Sequence, residues 1–232
     1  LGGENLRMQV EVAVDGRTAG ADKLGECPLW DELTRTLWWV DSRGPAVKRL
    51  DPASGAITTL ALPEPVGSIA FREHGGLLAA TKLGIHFLDP VSGRLDPAAR
   101  PEQSLPDNRF NDGRCDRAGR FWAGTMSDVK REPTGSLYRL DTNLTCTALR
   151  NAITIPNSLA WSPDGRTMYF ADTMRHTIWA WDYDLATGAA TRERVFADTG
   201  AGRPDGSCVD AEGCLWNAEY GGGRLVRYTP AA

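Results

Sequence analysis

One position of a sequence repeat recurs along this chain, held by Glu26, Gly67, Asn111, Asn157 and Asp205. Each stands four residues ahead of the residue that ends a short β-rich run: Trp30, Phe71, Cys115, Trp161 and Val209. A turn-like stretch follows, then a second apolar run closing on Asp41, Thr81, Thr125, Asp172 or Glu219. The anchors are 41, 44, 46 and 48 residues apart. A period of about 40–50 residues carried by short strands is the signature of a β-propeller. In such a ring, equivalent positions of successive blades converge on one axis. Glu26, Asn111, Asn157 and Asp205 are therefore expected to meet, and hard oxygen groups brought together suggest a bound cation.

Within each repeat the runs follow one another as in a meander. The first reads CPLW, TLWWVD, AVKRLD and AITTL, parted by DELTR, SRGP and PASG, which carry residues that turns favour. The fourth reads NSLAW, TMYFAD, TIWAWDYD and a stretch up to Phe196, and the fifth stops after DGSCV, CLWNAE and RLVRYT. No window shows a convincing helical period, so an all-β chain is expected, as one domain over residues 1–232. Neighbouring strands of a meander are antiparallel, which puts the start of the first run and the end of the second at one end of the blade. Asp41, Thr125, Asp172 and Glu219 are thus expected at the same mouth as the anchors. A further repeat is due beyond Ala232, so the last blade is expected to be missing from this sequence. Met8–Val14, an alternating run, is expected to close the ring as an outer strand.

The formal charge of −4, with no basic cluster longer than two residues, argues against nucleic acid or an anionic membrane as partner. No apolar stretch approaches the ~20 residues that span a bilayer, and no basic-then-apolar leader is visible. The five cysteines lack a CxxC pair and read as small buried residues; Cys27, Cys115 and Cys208 fall in first runs, where packing is expected. A cytoplasmic location follows as the expectation.

Taken singly, the motifs have plain readings. Glu26 in LGECPLWD reads as a rim charge, and NDG at Asn111–Gly113 as a tight turn. SPDG after Trp161 and PDG around Asp205 read as turns too. Their common register is what sets them apart. With RFNDG-x-x-D-x-x-G-R-x-x-A-G-T-M from Arg109 to Met126, supported by GECP, PNSLAWS and PDG-x-C-x-D-A-E-G-x-L-W, the chain resembles the regucalcin/gluconolactonase-like family (senescence-marker-protein type). The likeness runs from Leu24 to Thr229 and implies a six-bladed propeller, of which about five blades are visible here. It also implies hydrolysis of a small-molecule sugar lactone with one divalent metal ion, held by Glu26, Asn157 and Asp205. Arg109 and Asn111 take the substrate-contacting places of the motif. Some members carry a substrate-touching acid three positions past GTM. That position is Val129 here, with Asp128 beside it as the candidate, so the sugar preference stays open.

Two carboxylates and a carboxamide suit calcium, magnesium or manganese better than a structural zinc, with catalytic zinc or ferrous iron still in the set. The expected chemistry is metal-assisted attack of water on the lactone carbonyl. Arg109 supports the oxyanion, Asn111 fixes a sugar hydroxyl and Asp205 acts as general base. His74, His86 and His176 fall outside the anchor register, against a Ser-His-Asp triad; His176, close after Asp172, is a candidate substrate contact. The rivals are a non-catalytic calcium-binding propeller and a metal-dependent esterase or phosphotriesterase. The assembly is expected to be a monomer or weak dimer.

Overall fold

A computed structural model describes residues 21–230. Short β-rich runs broken by turn residues give nineteen strands among these residues, with a single 3-10 turn at Thr173–Arg175. The first sheet holds β1 (Gly25–Asp31), β2 (Thr36–Asp41), β3 (Ala46–Asp51) and β4 (Ala56–Ala61). The second holds β5 (Val66–Phe71), β6 (Leu77–Thr81), β7 (Ile85–Leu88) and β8 (Leu95–Ala99). The third holds β9 (Asn108–Cys115), β10 (Phe121–Ser127), β11 (Gly135–Leu140) and β12 (Cys146–Ile153). The fourth holds β13 (Pro156–Trp161), β14 (Thr167–Asp172), β15 (Thr177–Asp184) and β16 (Ala189–Asp198). The fifth has β17 (Pro204–Val209), β18 (Leu215–Glu219) and β19 (Arg224–Tyr228). Every sheet pairs its strands in chain order and antiparallel, the blade topology of a propeller. Five blades are described; Met8–Val14, the run expected to close the ring, lies outside the described residues, and among them no sixth blade is seen.

Apolar layers between successive sheets hold the blades face to face. Val40, Val47, Ile69 and Leu77 lie between the first and second, and Ile85, Phe110 and Phe121 between the second and third. Trp122, Leu159 and Phe170 lie between the third and fourth, and Tyr169, Ile178 and Leu215 between the fourth and fifth. Trp122 and Phe170 are fully buried; truncating an aromatic in such a layer costs about 3–5 kcal/mol. A polar clasp adds to the apolar contact between the third and fourth blades. Asp116, in the turn after β9, accepts hydrogen bonds from Tyr183 and Trp122 and from both the backbone and the side chain of Arg120.

The register repeats from blade to blade. The residue before each anchor pairs with the end of the second run: Gly25 with Asp41, Val66 with Thr81, Phe110 with Thr125, Pro156 with Asp172 and Pro204 with Glu219. Just after this pair, each inner strand carries one extra residue, a β-bulge.

Three plain readings are corrected. Asn111–Gly113 lies inside β9 and not in a turn, because Asn108 and Arg109 already pair with Ser127 and Met126. Asp205 likewise lies in β17. The cysteines are not uniformly buried: Cys214 is, whereas Cys208 is exposed and Cys27, Cys115 and Cys146 are half-buried. In β17, strand alternation puts Ser207 inside and its neighbour Cys208 outside. No helix among the described residues is long and apolar enough to cross a membrane.

Candidate active site

The bulges aim the anchors at the axis. A bulge breaks the alternation of a strand and turns its side chains. In β1 and β13 the residue after the anchor takes a left-handed conformation, Cys27 at φ 52° and Ser158 at φ 62°. Such a backbone costs about 1–3 kcal/mol for a residue with a Cβ and is held by surrounding structure. Glu26, Arg109, Asn111, Asn157 and Asp205 together line one cleft of about 210 Å³. The remaining anchor, Gly67, contributes no side chain for a steric reason. A Cβ there would sit 2.4 Å from Asn111 O and 2.5 Å from Phe110 O, so the backbone of β9 fills that slot.

A chain of hydrogen bonds sets the donors' orientation. Thr173 Oγ1 donates to Pro204 O at 2.7 Å, so it can only accept from Asn157 Nδ2, at 2.8 Å. Asn157 therefore presents Oδ1 on its other side, where Asn111 Nδ2 donates to it at 3.1 Å. Asn111 Nδ2 also donates to Pro156 O at 3.0 Å, and its Oδ1 accepts from Arg109 Nη1 at 3.0 Å. Arg109, a buried guanidinium, donates further from Nη1 to Phe110 O at 2.9 Å and from Nε to Asp128 at 2.8 Å. Among the described residues Nη2 has no partner. Asp128 is not part of the cleft lining; it lies behind Arg109 and also pairs with Arg43 at 3.0 Å.

Charge accumulates at the cleft floor. Burial, then repulsion from Asp205 and Asp112, pushes the Glu26 carboxyl up to about 7, with Arg109 opposing. Burial and Asp112 push Asp205 up to about 6, against a hydrogen bond from the Gly206 N–H. Asp112 is raised by burial too, although Arg114 and the Leu159 N–H oppose it. Carboxylates that raise one another in a partly buried cleft are the setting that a divalent cation relieves. Among the described residues no three His, Cys, Asp or Glu side chains form a metal cage of their own. The donor chemistry is two carboxylates completed by the inward amide oxygen of Asn157, and it fits a hard cation.

The ends of the second runs have another task. Asp41 accepts from the backbone N–H groups of Lys23, Leu24 and Gly44, and Asp172 from those of Thr154, Ile155 and Met174. Glu219 pairs with Arg224 at 2.8 Å. They hold the connecting loops at this mouth and none lines the cleft. His176 is likewise engaged, its Nδ1 lying 2.6 Å from Gly202 O, and His86 is buried against Thr81. Sequence reasoning missed Asp112, Thr173 and the exposed arginines Arg131 and Arg203. Only Asp112 carried a signal, as the residue after Asn111 in RFNDG.

A family model described as SMP-30/Gluconolactonase/LRE-like region matches residues 24–232. The 6-deoxy-6-sulfogluconolactonase of Pseudomonas putida is 38% identical over 209 residues, with 89% of this chain and 72% of that protein covered. Regucalcin of Xenopus laevis is 38% identical over 215 residues, with 90% and 72% covered. The crystal structure of a calcium-binding protein, regucalcin, from Agrobacterium tumefaciens matches with a TM-score of 0.85 at 38% identity, covering 90% of this chain and 71% of that one.

Proposed function

The chain belongs to the SMP-30/gluconolactonase/LRE-like family, and on that premise we propose that it hydrolyses a sugar lactone with the help of one divalent cation. The observation that carries the reading is the convergence, on one cleft, of Glu26, Asn157 and Asp205 with the oriented pair Arg109 and Asn111. Glu26, Asn157 and Asp205 would hold the cation, which when bound supplies an electrophile for the lactone carbonyl. Calcium, magnesium, manganese, zinc and ferrous iron all remain within what these oxygen donors accept.

The chain's own groups do the rest. Asp205 takes a proton from the water whose oxygen bonds to the carbonyl carbon. As the ring C–O bond breaks, the ring oxygen takes up a proton and the product is the open hydroxy acid. Arg109 Nη2 points its free N–H groups at the oxygen where negative charge builds, worth about 10²–10³ in rate for one such donor. Asn111 fixes the substrate face beside Asn157, and Asp128 holds Arg109 in place.

A second reading, a non-catalytic calcium-binding propeller, draws on the calcium-binding neighbour. It has no use for a buried Arg109 with an open donor edge, and we favour the enzyme. Acid release from a panel of aldonolactones, with and without chelator, tests the choice. The expected result is turnover that disappears on chelation and returns with a divalent cation. Full activity in metal-stripped protein would overturn the cation's role, and no turnover with a cation bound would overturn the lactonase.

A further inference from the structure

Beyond the floor of the cleft, its rim is cationic, and every cation there is an arginine. Arg43 lies in the turn between β2 and β3, Arg131 between β10 and β11, and Arg203 just before β17. These belong to the first, third and fifth blades, so the rim is assembled from separate parts of the ring. Arg43 is partly neutralised by Asp128, at 3.0 Å. Arg131 and Arg203 are both exposed and have no ion pair among the described residues, so their guanidinium groups are free at the cleft they line.

The Arg203 backbone is pinned. Gly202 O accepts from Thr199 Oγ1 at 2.8 Å and lies 2.6 Å from His176 Nδ1, while Arg203 O accepts from Tyr220 N at 2.9 Å. A Cβ at Gly202 would meet Glu219 Oε1 at 2.6 Å, so a larger residue there would displace the Glu219 carboxylate. Arg131 stands in a left-handed backbone conformation, φ 53°, in a connection tied by Lys130 N donating to Ser127 Oγ. Two unpaired arginines on constrained backbones line the same cleft as Glu26 and Asp205, the carboxylates that Asp112 lies close enough to repel.

We propose that the cleft takes lactones bearing an oxoanion group, a phosphate, sulfonate or carboxylate, remote from the lactone carbonyl, with Arg131 and Arg203 binding that group at the rim. The inference rests on the lactonase reading and narrows its substrate. A planar guanidinium fork matches two oxygens of an oxoanion, which a neutral sugar hydroxyl does not offer. The charge pattern also orients the substrate. The rim arginines attract the oxoanion, so the uncharged carbonyl end is left to face Glu26, Asn157 and Asp205.

The test compares kcat/KM for 6-phospho-, 6-sulfo- and carboxylate-ended aldonolactones with that for the neutral 1,5-lactone, in the cation-loaded protein. At least one acidic substrate is expected to be preferred by about tenfold or more, and the best of the three identifies the oxoanion. R131Q and R203Q, singly and together, should narrow the ratio, and 0.5 M-range salt should narrow it in the parent protein, since exposed charges are screened at about that ionic strength. Both side chains are exposed, and circular dichroism verifies that the Gln variants are folded. A neutral lactone turned over equally well or better, or a ratio that the variants leave unmoved, overturns the inference and leaves the lactonase standing. If no lactone is opened, calorimetry with 6-phosphogluconate separates the two claims. Binding that R131Q/R203Q weakens keeps the oxoanion site while the lactonase falls; no binding overturns both.

Discussion

Asp128 accepts a 2.8 Å hydrogen bond from Arg109 Nε, and this contact fixes which edge of the guanidinium is left for the cleft. Burial works against the Asp128 charge, yet Arg109 and Arg43 outweigh it and hold its carboxyl below the usual range. Asp128 is thus a positioning residue. Asp128→Ala should lower kcat about tenfold with cation affinity unchanged, whereas Arg109→Ala should cost about 10²–10³. Steady-state kinetics beside calorimetric cation titration checks this. A matching loss of cation affinity in either variant would refute the division of labour.

Removing one of the mutually repelling carboxylates should have opposite effects on stripped and loaded protein. Glu26→Gln relieves repulsion from Asp205 and Asp112, so the chelator-treated variant should melt at or above the parent near pH 8. It should lose most of the stabilisation that a divalent cation confers on the parent, because stabilisation by a ligand follows its affinity. Thermal melts with and without cation decide. A stripped variant several degrees less stable than stripped parent would contradict the repulsion.

Gly67→Ala tests the slot filled by β9. Its new Cβ would fall 2.4 Å from Asn111 O, and backbone cannot step aside as a flexible side chain can. A loss of about 1–3 kcal/mol is expected from overpacking, with activity reduced at temperatures where the variant is still folded. Denaturant melts and an assay on folded material provide the readings; wild-type values in both would show that the sheets slide apart freely.

Acid should weaken the clasp at Asp116. Burial alone would raise this carboxyl, but hydrogen bonds from Tyr183, Arg120 and Trp122 win and its pKa is lowered. A group depressed on folding contributes stability above its unfolded pKa of about 3.9, and that contribution is lost as pH falls through the folded value. Asp116→Asn should therefore be less stable than the parent at pH 7 by about 1–3 kcal/mol. The gap should close below about pH 4. A gap of constant size from pH 7 to pH 3 would assign the loss to packing alone.

The strands were readable in the sequence because period-two runs and turn residues agree with tertiary packing; TIWAWDYD is β15 to the residue. The anchors were readable because the repeat returns them to one axis. Asp112 was not, since strict alternation would turn the residue after an anchor away from the axis. The extra residue of the bulge breaks that rule, and alternation alone does not show where it falls. Asn111–Gly113 misled for a related reason: turn-forming residues supply the irregular backbone that a bulge needs inside a strand. Arg131 and Arg203 sit in connections, where no periodicity reports the direction of a side chain. Asp41 and Asp172 were placed at the right end of the blade, but loop amides claim their oxygens.

The bulge recurs at the same place in every inner strand, yet the residue it presents is an acid, a glycine, an amide, an amide and an acid in turn. Strand pairing of the blade runs through backbone, so outside the slot of Gly67, where β9 leaves no room for a Cβ, the frame does not dictate which side chain is presented. Each of the other four blades behaves as a socket that accepts a different fitting while the frame stays the same. Selection can then alter one donor at a time, and a new metal preference or a new substrate becomes a single-step change with the ring left intact.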